Sequence, residues 1–308
     1  MSLNSFEISC VRSFHAKEVP PPAKTADPAA LIRYGIWILL RISQRIRALR
    51  PSLNGITTAL KSDGTPVTQI EIEIEDMVRE SLSLLPDGIS FISEEAGGTL
   101  PSNGLAIVLD PIDGTRSFLT QSDNFSTSLA FYNNGIPIIG MIINPTTGDL
   151  GYVIAGEKTR LIQFSVFGEG NFAATLPSYS HSSRHPCLVH VHPSRAAMKI
   201  LGHLDAMWKN GAVQFIKFSG GSPAYALLEA AKGHFIYINL WDHRPAAPFD
   251  LAAGILLVRG SGGEVRDRNG QPIRCDHHAG PFLAALPKDE WAEAIDNLLE
   301  ILRNNVRS

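Results

Sequence analysis

Cysteine is scarce in this chain of 308 residues: Cys10, Cys187 and Cys275 lie far apart, are odd in number and include no CxxC spacing. That leaves no basis for a disulfide framework, and a reducing cytoplasm is the simpler setting. Long apolar runs are missing too. The longest patch, GIWILL at 35–40, is closed in by Arg33 and Arg41 and is far too short to span a bilayer. The first thirty residues hold no basic segment followed by an apolar one, so neither a membrane span nor a secretory signal is expected. No excess of one charge is present: 27 Lys and Arg against 30 Asp and Glu give a net charge of −3. With the basic residues spread along the chain, no nucleic-acid footprint is visible. What remains is an ordinary globular composition, 44% hydrophobic and 19% charged. The length suits one extended α/β unit or two smaller domains.

Residues 1–26 contain PPP and little periodicity, and are expected to form a loosely ordered arm. Asp27 followed by Pro28 reads as an N-cap with proline at the first helical position, opening a helix to about Leu49. Thr68 and Glu71 form a capping-box pattern for a second helix that runs to about Leu85. Short apolar runs at 89–92, 105–109, 126–132, 136–143 and 150–155 read as strands, several of them antiparallel. A Gly/Ser/His-rich stretch at 165–186 reads as a linker. Strands and helices then alternate to the end, which favours an α/β layer arrangement. The expected organisation is an arm (1–26), an N-terminal α+β half (27–180) carrying metal and phosphate ligands, and a C-terminal α/β half (181–308) completing the substrate site.

The chemistry concentrates at LDPIDGTRSFL, 109–119, where the apolar strand LAIVL ends in Asp110 and Asp113. Pro111 biases Asp110 toward an extended backbone, and Gly114 permits a tight turn. Two adjacent carboxylates repel, so they favour a cation or a shared proton. The Gly114 and Thr115 amides, opening a short helix, favour a phosphate. The alternative is a plain Asp-Pro turn that caps the next helix. A second acidic element, FISEEAGG at 91–98, places Glu94 and Glu95 at another strand end; alone it would be a solvated turn. A third, FDLAAGILLVRGSGG at 249–263, puts Asp250 at the start of a helix whose Ala252, Ala253 and Gly254 allow close backbone packing, or makes Asp250 simply a helix cap. Oxygen-only ligands of this kind suit Mg²⁺ or Mn²⁺ rather than zinc.

These three elements, in this order, resemble the inositol monophosphatase family of metal-dependent sugar phosphatases over roughly residues 55 to 285. KSDGTPVT at 61–68 resembles the family's substrate-side loop, with Lys61 as a candidate substrate contact. GSPAYALLEAAKG at 221–233 resembles its sugar-side helix, with Gly221 and Ser222 as candidates. The resemblance implies a layered αβαβα fold, two or three Mg²⁺ ions (with Mn²⁺ as a possible substitute) and usually a homodimer. By position, Glu94, Asp110, the Ile112 carbonyl and Asp113 would hold a first metal, and Asp110, Asp113 and Asp250 a second. Thr115, with Glu94, would orient and deprotonate the attacking water, and the Gly114 and Thr115 amides would hold phosphate. Glu71, on one helix face with Glu75, occupies the place where relatives have an Asp that reaches a third metal's waters. The implied activity is hydrolysis of a small polyol or sugar phosphate such as inositol monophosphate.

The chain departs from the family pattern in two places. Asp242, in Trp241-Asp242, matches the last ligand by letters and Asp250 by register, and Asp250 is favoured. The strand HFIYINL carries Ile236 and Asn239 near positions where relatives have acids, which weakens the case for a free inositol ring. DPIDGTRSF is also similar to the histidinol-phosphatase and nucleotide 3′-phosphatase branches, where Arg116 could pair with a second anionic group or be a solvated helix residue. A bisphosphatase would need room and positive charge near Lys61 and Asp63. A non-catalytic family member serving as a binding or regulatory module is the reading of another class. His190 and His192 alternate on a strand, and ordinary hydrogen-bonded or exposed histidines are the preferred reading there.

Overall fold

A computed structural model describes residues 5–15, 18–20, 26–51, 58–60, 66–164, 188–191, 194–218, 221–240 and 245–306. The expected linker at 165–186, Lys61, Asp63, His192 and Asp242 lie outside the described residues. The expected loose arm is corrected over part of its length: Ser5–His15 is a helix, α1. It is held because Glu7, 1% exposed, takes both Arg160 Nε and Nη2 at 2.9 Å and the Tyr152 hydroxyl at 2.7 Å. A buried carboxylate satisfied by three donors fixes a segment whose own periodicity is weak.

Helix α2, Pro28–Leu49, begins as its sequence dictates, with Asp27 Oδ2 accepting from the Ala30 amide at 3.0 Å. A short hairpin of β1 (Thr58–Leu60) and β2 (Pro66–Thr68) leads into α3, Gln69–Ser81. There the capping box is complete: Thr68 Oγ1 accepts from the Glu71 amide at 3.3 Å, and Glu71 Oε2 from the Thr68 amide at 2.6 Å. Strands β3 (Ser90–Ser93), β4 (Leu105–Asp113), β5 (Ser126–Asn133), β6 (Ile136–Ile143), β7 (Asp149–Ile154) and β8 (Arg160–Gln163) form one sheet in chain order, with the short helix α4 (Thr115–Leu119) after β4. Only β3 and β4 run parallel in this sheet; its other pairs are antiparallel.

The second sheet begins with β9 (Leu188–Val191), followed by α5 (Arg195–Lys209), β10 (Phe215–Phe218), α6 (Pro223–Ala231), β11 (Ile236–Asn239), α7 (Pro248–Gly260), β12 (Glu264–Asp267), β13 (Phe282–Ala285) and α8 (Ala292–Asn305). Its order is β10-β9-β11-β13-β12, parallel on the β10 side and antiparallel on the β12 side.

Period-two alternation sorts the side chains into layers. Leu105, Ile107 and Leu109 of β4 pack with α2 and α3, while Ala106 and Val108 on the opposite face pack with α6 and α7. Tyr237, Phe282 and Ala284 of the second sheet close the other side of α6 and α7. Val189, Ile236, Ile238 and Leu283 face away, against α5 and α8. The result is the expected five-layer αβαβα stack. Helices α6 and α7 are sealed between two sheets, which is why both read as almost continuously apolar. Gly254 makes that packing possible, since a Cβ there would lie 2.4 Å from a Leu227 methyl. No helix among the described residues is long and apolar enough to cross a membrane.

Candidate active site

Strand β4 delivers both central aspartates. Asp110 pairs with Ser128 and Asp113 with Ser126, so a bulge of one extra residue lies between them. A bulge re-aims the side chains on either side of it, and this one is pinned by Thr127 Oγ1 donating to the Pro111 carbonyl at 2.8 Å. Gly114 follows with φ +97° and caps α4. That left-handed backbone favours glycine, and the space demands it as well: a Cβ would meet the Asn124 carbonyl oxygen and the Ser222 amide, each at 3.1 Å. Gly221 is tighter still, with a Cβ position 2.5 Å from the same Asn124 oxygen.

Those contacts seat the N-terminus of α6 on the end of β4. Asp113 Oδ2 accepts from the Ala224 amide at 2.6 Å and from the Ser222 hydroxyl, and Ser222 also shares a 2.8 Å hydrogen bond with Ser126. From the parallel neighbour β3, the Glu94 amide donates to the Leu109 carbonyl at 3.2 Å, continuing the ladder to the same sheet end. Glu75 Oε1 holds the following turn by accepting from the Glu95 amide at 2.9 Å. On α7, Asp250 sits in the first turn, 3% exposed, with Oδ2 accepting from the Ala247 amide at 2.6 Å.

The electrostatics show how closely these acids are grouped. Burial pushes the Asp110 carboxyl well above the usual range, and Glu94, Asp113, Asp250 and Glu71 raise it further in that order. Asp113 is raised mainly by burial, which the Ser222 and Ala224 hydrogen bonds oppose and the Asp250 and Glu94 charges reinforce. Glu71, fully buried, is pushed up to about 7 by desolvation, against hydrogen bonds from Thr115 and Thr68. Thr115 Oγ1 lies 2.8 Å from Glu71 Oε1 and 3.2 Å from the Ile112 carbonyl oxygen, so its proton goes to Glu71. Thr115 was expected to act with Glu94; its recorded carboxylate partner is Glu71.

Asp110 Oδ1 is buried without a hydrogen-bond partner among the described residues. An orphaned anionic oxygen among four other carboxylates suits a hard divalent cation in charge and donor type. Among the described residues, no three His, Cys, Asp or Glu side chains stand ready-arranged around an ion. Asp113 and Asp250 each turn one oxygen to a backbone amide instead. The donor set fits a metal, and closing on one requires these side chains to readjust.

Nearly every residue singled out in the sequence converges here: Glu71, Glu94, Asp110, Ile112, Asp113, Gly114, Thr115, Gly221, Ser222 and Asp250. Arg116 is exposed on α4. His190 is a core histidine, packed on Phe235 and Tyr237 with ring centroids 4.8 and 5.3 Å away. Tyr237 was missed, and Asn239 was read only as standing where relatives carry an acid. Both are buried, the Asn239 amide donates to the Tyr237 hydroxyl at 3.1 Å, and Tyr237 is close enough for Asp113 and Asp250 to raise it further after burial. An asparagine in an otherwise apolar strand was the available signal.

Fold and site thus define a five-layer α/β protein with buried carboxylates gathered beside a glycine turn, the fold class of the inositol monophosphatases. The sequence matches the inositol monophosphatase family over residues 34–304, and the chain belongs to that family. It is a phosphatase, a phosphoric monoester hydrolase. It is 28% identical over 201 residues to inositol monophosphatase 2 of Saccharomyces cerevisiae, covering 54% of this chain and 68% of that one. With the histidinol-phosphatase of Mycobacterium tuberculosis the identity is 23% over 223 residues, 68% of this chain and 77% of the relative. Among solved structures, the extragenic suppressor protein SuhB of Bartonella henselae superposes with a TM-score of 0.71 at 20% identity, covering 90% of this chain and all of the other.

Proposed function

We propose that the protein is a Mg²⁺-dependent phosphomonoesterase acting on a small polyol or sugar phosphate, inositol monophosphate being the first candidate. The observation that carries this reading is the buried Asp110 carboxylate, with an oxygen that has no hydrogen-bond partner among the described residues, amid Glu94, Asp113, Asp250 and Glu71. Glu94, Asp110, Asp113, Asp250 and the Ile112 carbonyl would hold the ions. Mg²⁺ held there would supply water activation and charge neutralisation for the reaction.

The chain's own groups do the rest. Thr115 Oγ1, whose hydrogen points to Glu71 Oε1, offers a lone pair that orients the incoming water, and Glu71 Oε1 holds the proton that moves through this pair. The water oxygen bonds to phosphorus as the ester P–O bond breaks, and the leaving oxygen takes a proton from solvent to depart as the alcohol. The Gly114 and Thr115 amides face the phosphoryl oxygens, and Gly221 and Ser222 wall the substrate side. Cys10 and Cys275 are both free and buried, which agrees with a cytoplasmic setting; a homodimer is the assembly the family resemblance suggests.

The test is phosphate release from inositol, sugar, histidinol and nucleotide phosphates, with and without Mg²⁺. Release should require Mg²⁺, fall about 100-fold or more in Thr115→Val and largely return in Thr115→Ser. No release from any of these esters in the presence of Mg²⁺ would end the proposal.

A further inference from the structure

At the far end of α7 from Asp250, nine residues and about 14 Å along the helix, lies a cavity of about 540 Å³ that the hydrolytic reading leaves unused. It is framed by the β5–β6 turn, the turn after β7, the end of α7 and residues 274–276. Its volume is that of a small-molecule site.

Its charges are uneven in a useful way. Arg274 is committed to Asp276 through two hydrogen bonds of 2.8 and 2.6 Å. Arg259 makes no ion pair among the described residues. Its Nη2 donates to the Ile273 carbonyl at 2.7 Å and its Nη1 lies 3.7 Å from Cys275 Sγ, so the guanidinium is held in place without a carboxylate partner among the described residues. Nor does the end of α7 need its remaining donors. The Leu257 carbonyl takes the Thr159 hydroxyl, Val258 the Gly263 amide, Arg259 the Gly262 amide and Gly260 the Thr159 amide. A planar, pre-positioned guanidinium with spare N–H groups is a receptor for an oxyanion. Beside it, Ile136 is 65% exposed and, with Pro137 and Leu256, gives the cavity an apolar wall. Glu157 is exposed at the rim, which disfavours a doubly charged guest such as phosphate.

We propose that this cavity is a second ligand site, for a small organic monoanion whose carboxylate pairs with Arg259 and whose apolar body lies on Ile136, Pro137 and Leu256. The probe is 4-fluorophenylacetate, followed by fluorine NMR on the full chain in chelator, where the catalytic acids hold no cation and repel a carboxylate. Saturable line broadening is expected. Arg259→Gln should weaken it about tenfold or more through the lost charge-assisted pair. Ile136→Asp, at an exposed position that does not threaten folding, should do the same by repulsion, and Thr115→Val should change nothing. Absence of broadening at millimolar probe, or equal broadening in wild type and both cavity variants, overturns the site; loss of broadening in Thr115→Val relocates the probe to the catalytic pocket and overturns it too.

Discussion

Neutralising Asp110 should stabilise the metal-free protein while destroying its activity. The carboxylate is 1% exposed, has no partner for Oδ1 among the described residues, and carries the repulsion of four neighbouring acids. A buried polar group left unpaired costs about 1–3 kcal/mol. In Asp110→Asn the charge is gone and a new amide donor faces carboxylates that can accept from it. Taking about 2 kcal/mol as the gain, a chain of 308 residues, with an unfolding entropy of about 650 cal/mol/K, should melt roughly 3 °C higher. The sign with pH follows from the raised carboxyl: the folded state binds the proton more tightly than the unfolded chain, so wild type loses stability as pH rises above the ordinary Asp range. The advantage of the variant should therefore be larger at pH 8 than at pH 5. Adding Mg²⁺ should reverse the order, because a ligand at about 100 times its Kd adds about 2.7 kcal/mol to whichever protein binds it. Thermal unfolding of both proteins in chelator and in Mg²⁺, at the two pH values, reads all of this. If Asp110→Asn melts below wild type in chelator, or gains as much from Mg²⁺ as wild type does, the picture of an acid cluster awaiting a cation is wrong.

Two further outcomes test the scaffold. Burial would raise the Glu229 carboxyl, yet the His234 hydrogen bond and the Lys232 charge outweigh it and bring the group down to about 2. Relative to the ordinary value of 4.5, this contributes about 3 kcal/mol, present above that value and lost as pH falls toward 2. Glu229→Gln should thus be the less stable protein at pH 7 and converge with wild type in acid melts; a constant gap down to pH 2.5 would refute the assignment. Glu7→Gln removes a buried carboxylate held by Arg160 and Tyr152. Because the Arg160 side chain is 30% exposed and can regain water, the cost should be at the lower end, about 2 kcal/mol. An unchanged melting temperature would mean that α1 is not anchored this way.

Much of the fold was legible because local and global signals agree where α2 and α3 begin. Asp27-Pro28 and Thr68-x-x-Glu71 each name a helix start by a hydrogen bond that the structure contains. The small residues of α7 likewise announced close packing, and Leu227 sits where a side chain on Gly254 would have to go. Helix α1 was not legible, since its order depends on Arg160 and Tyr152, more than a hundred residues away. No window of sequence contains that contact. Strand β12 was missed for a related reason: four residues, EVRD, carry too few apolar positions to set a period, and their pairing with β13 supplies the order.

The candidate site divides along the same line. Glu94, Asp110 and Asp113 were legible as types at strand ends, because a charge closing an apolar strand has no packing role to explain it, and Glu71 and Asp250 as acids in first helical turns. Their partners were not. Thr115 meets Glu71 only because the bulge in β4 and the left-handed Gly114 turn the chain back toward the start of α3. Asp113 shows why these features occur together. Its carboxylate takes the amide and hydroxyl at the head of α6, so the side chain that contributes charge to the pocket also locks the substrate-side helix to the strand. A bulge, a positive φ, buried like charges and two glycines in forbidding contacts each violate a local rule. Their coincidence at one sheet end is what function, rather than packing, would produce.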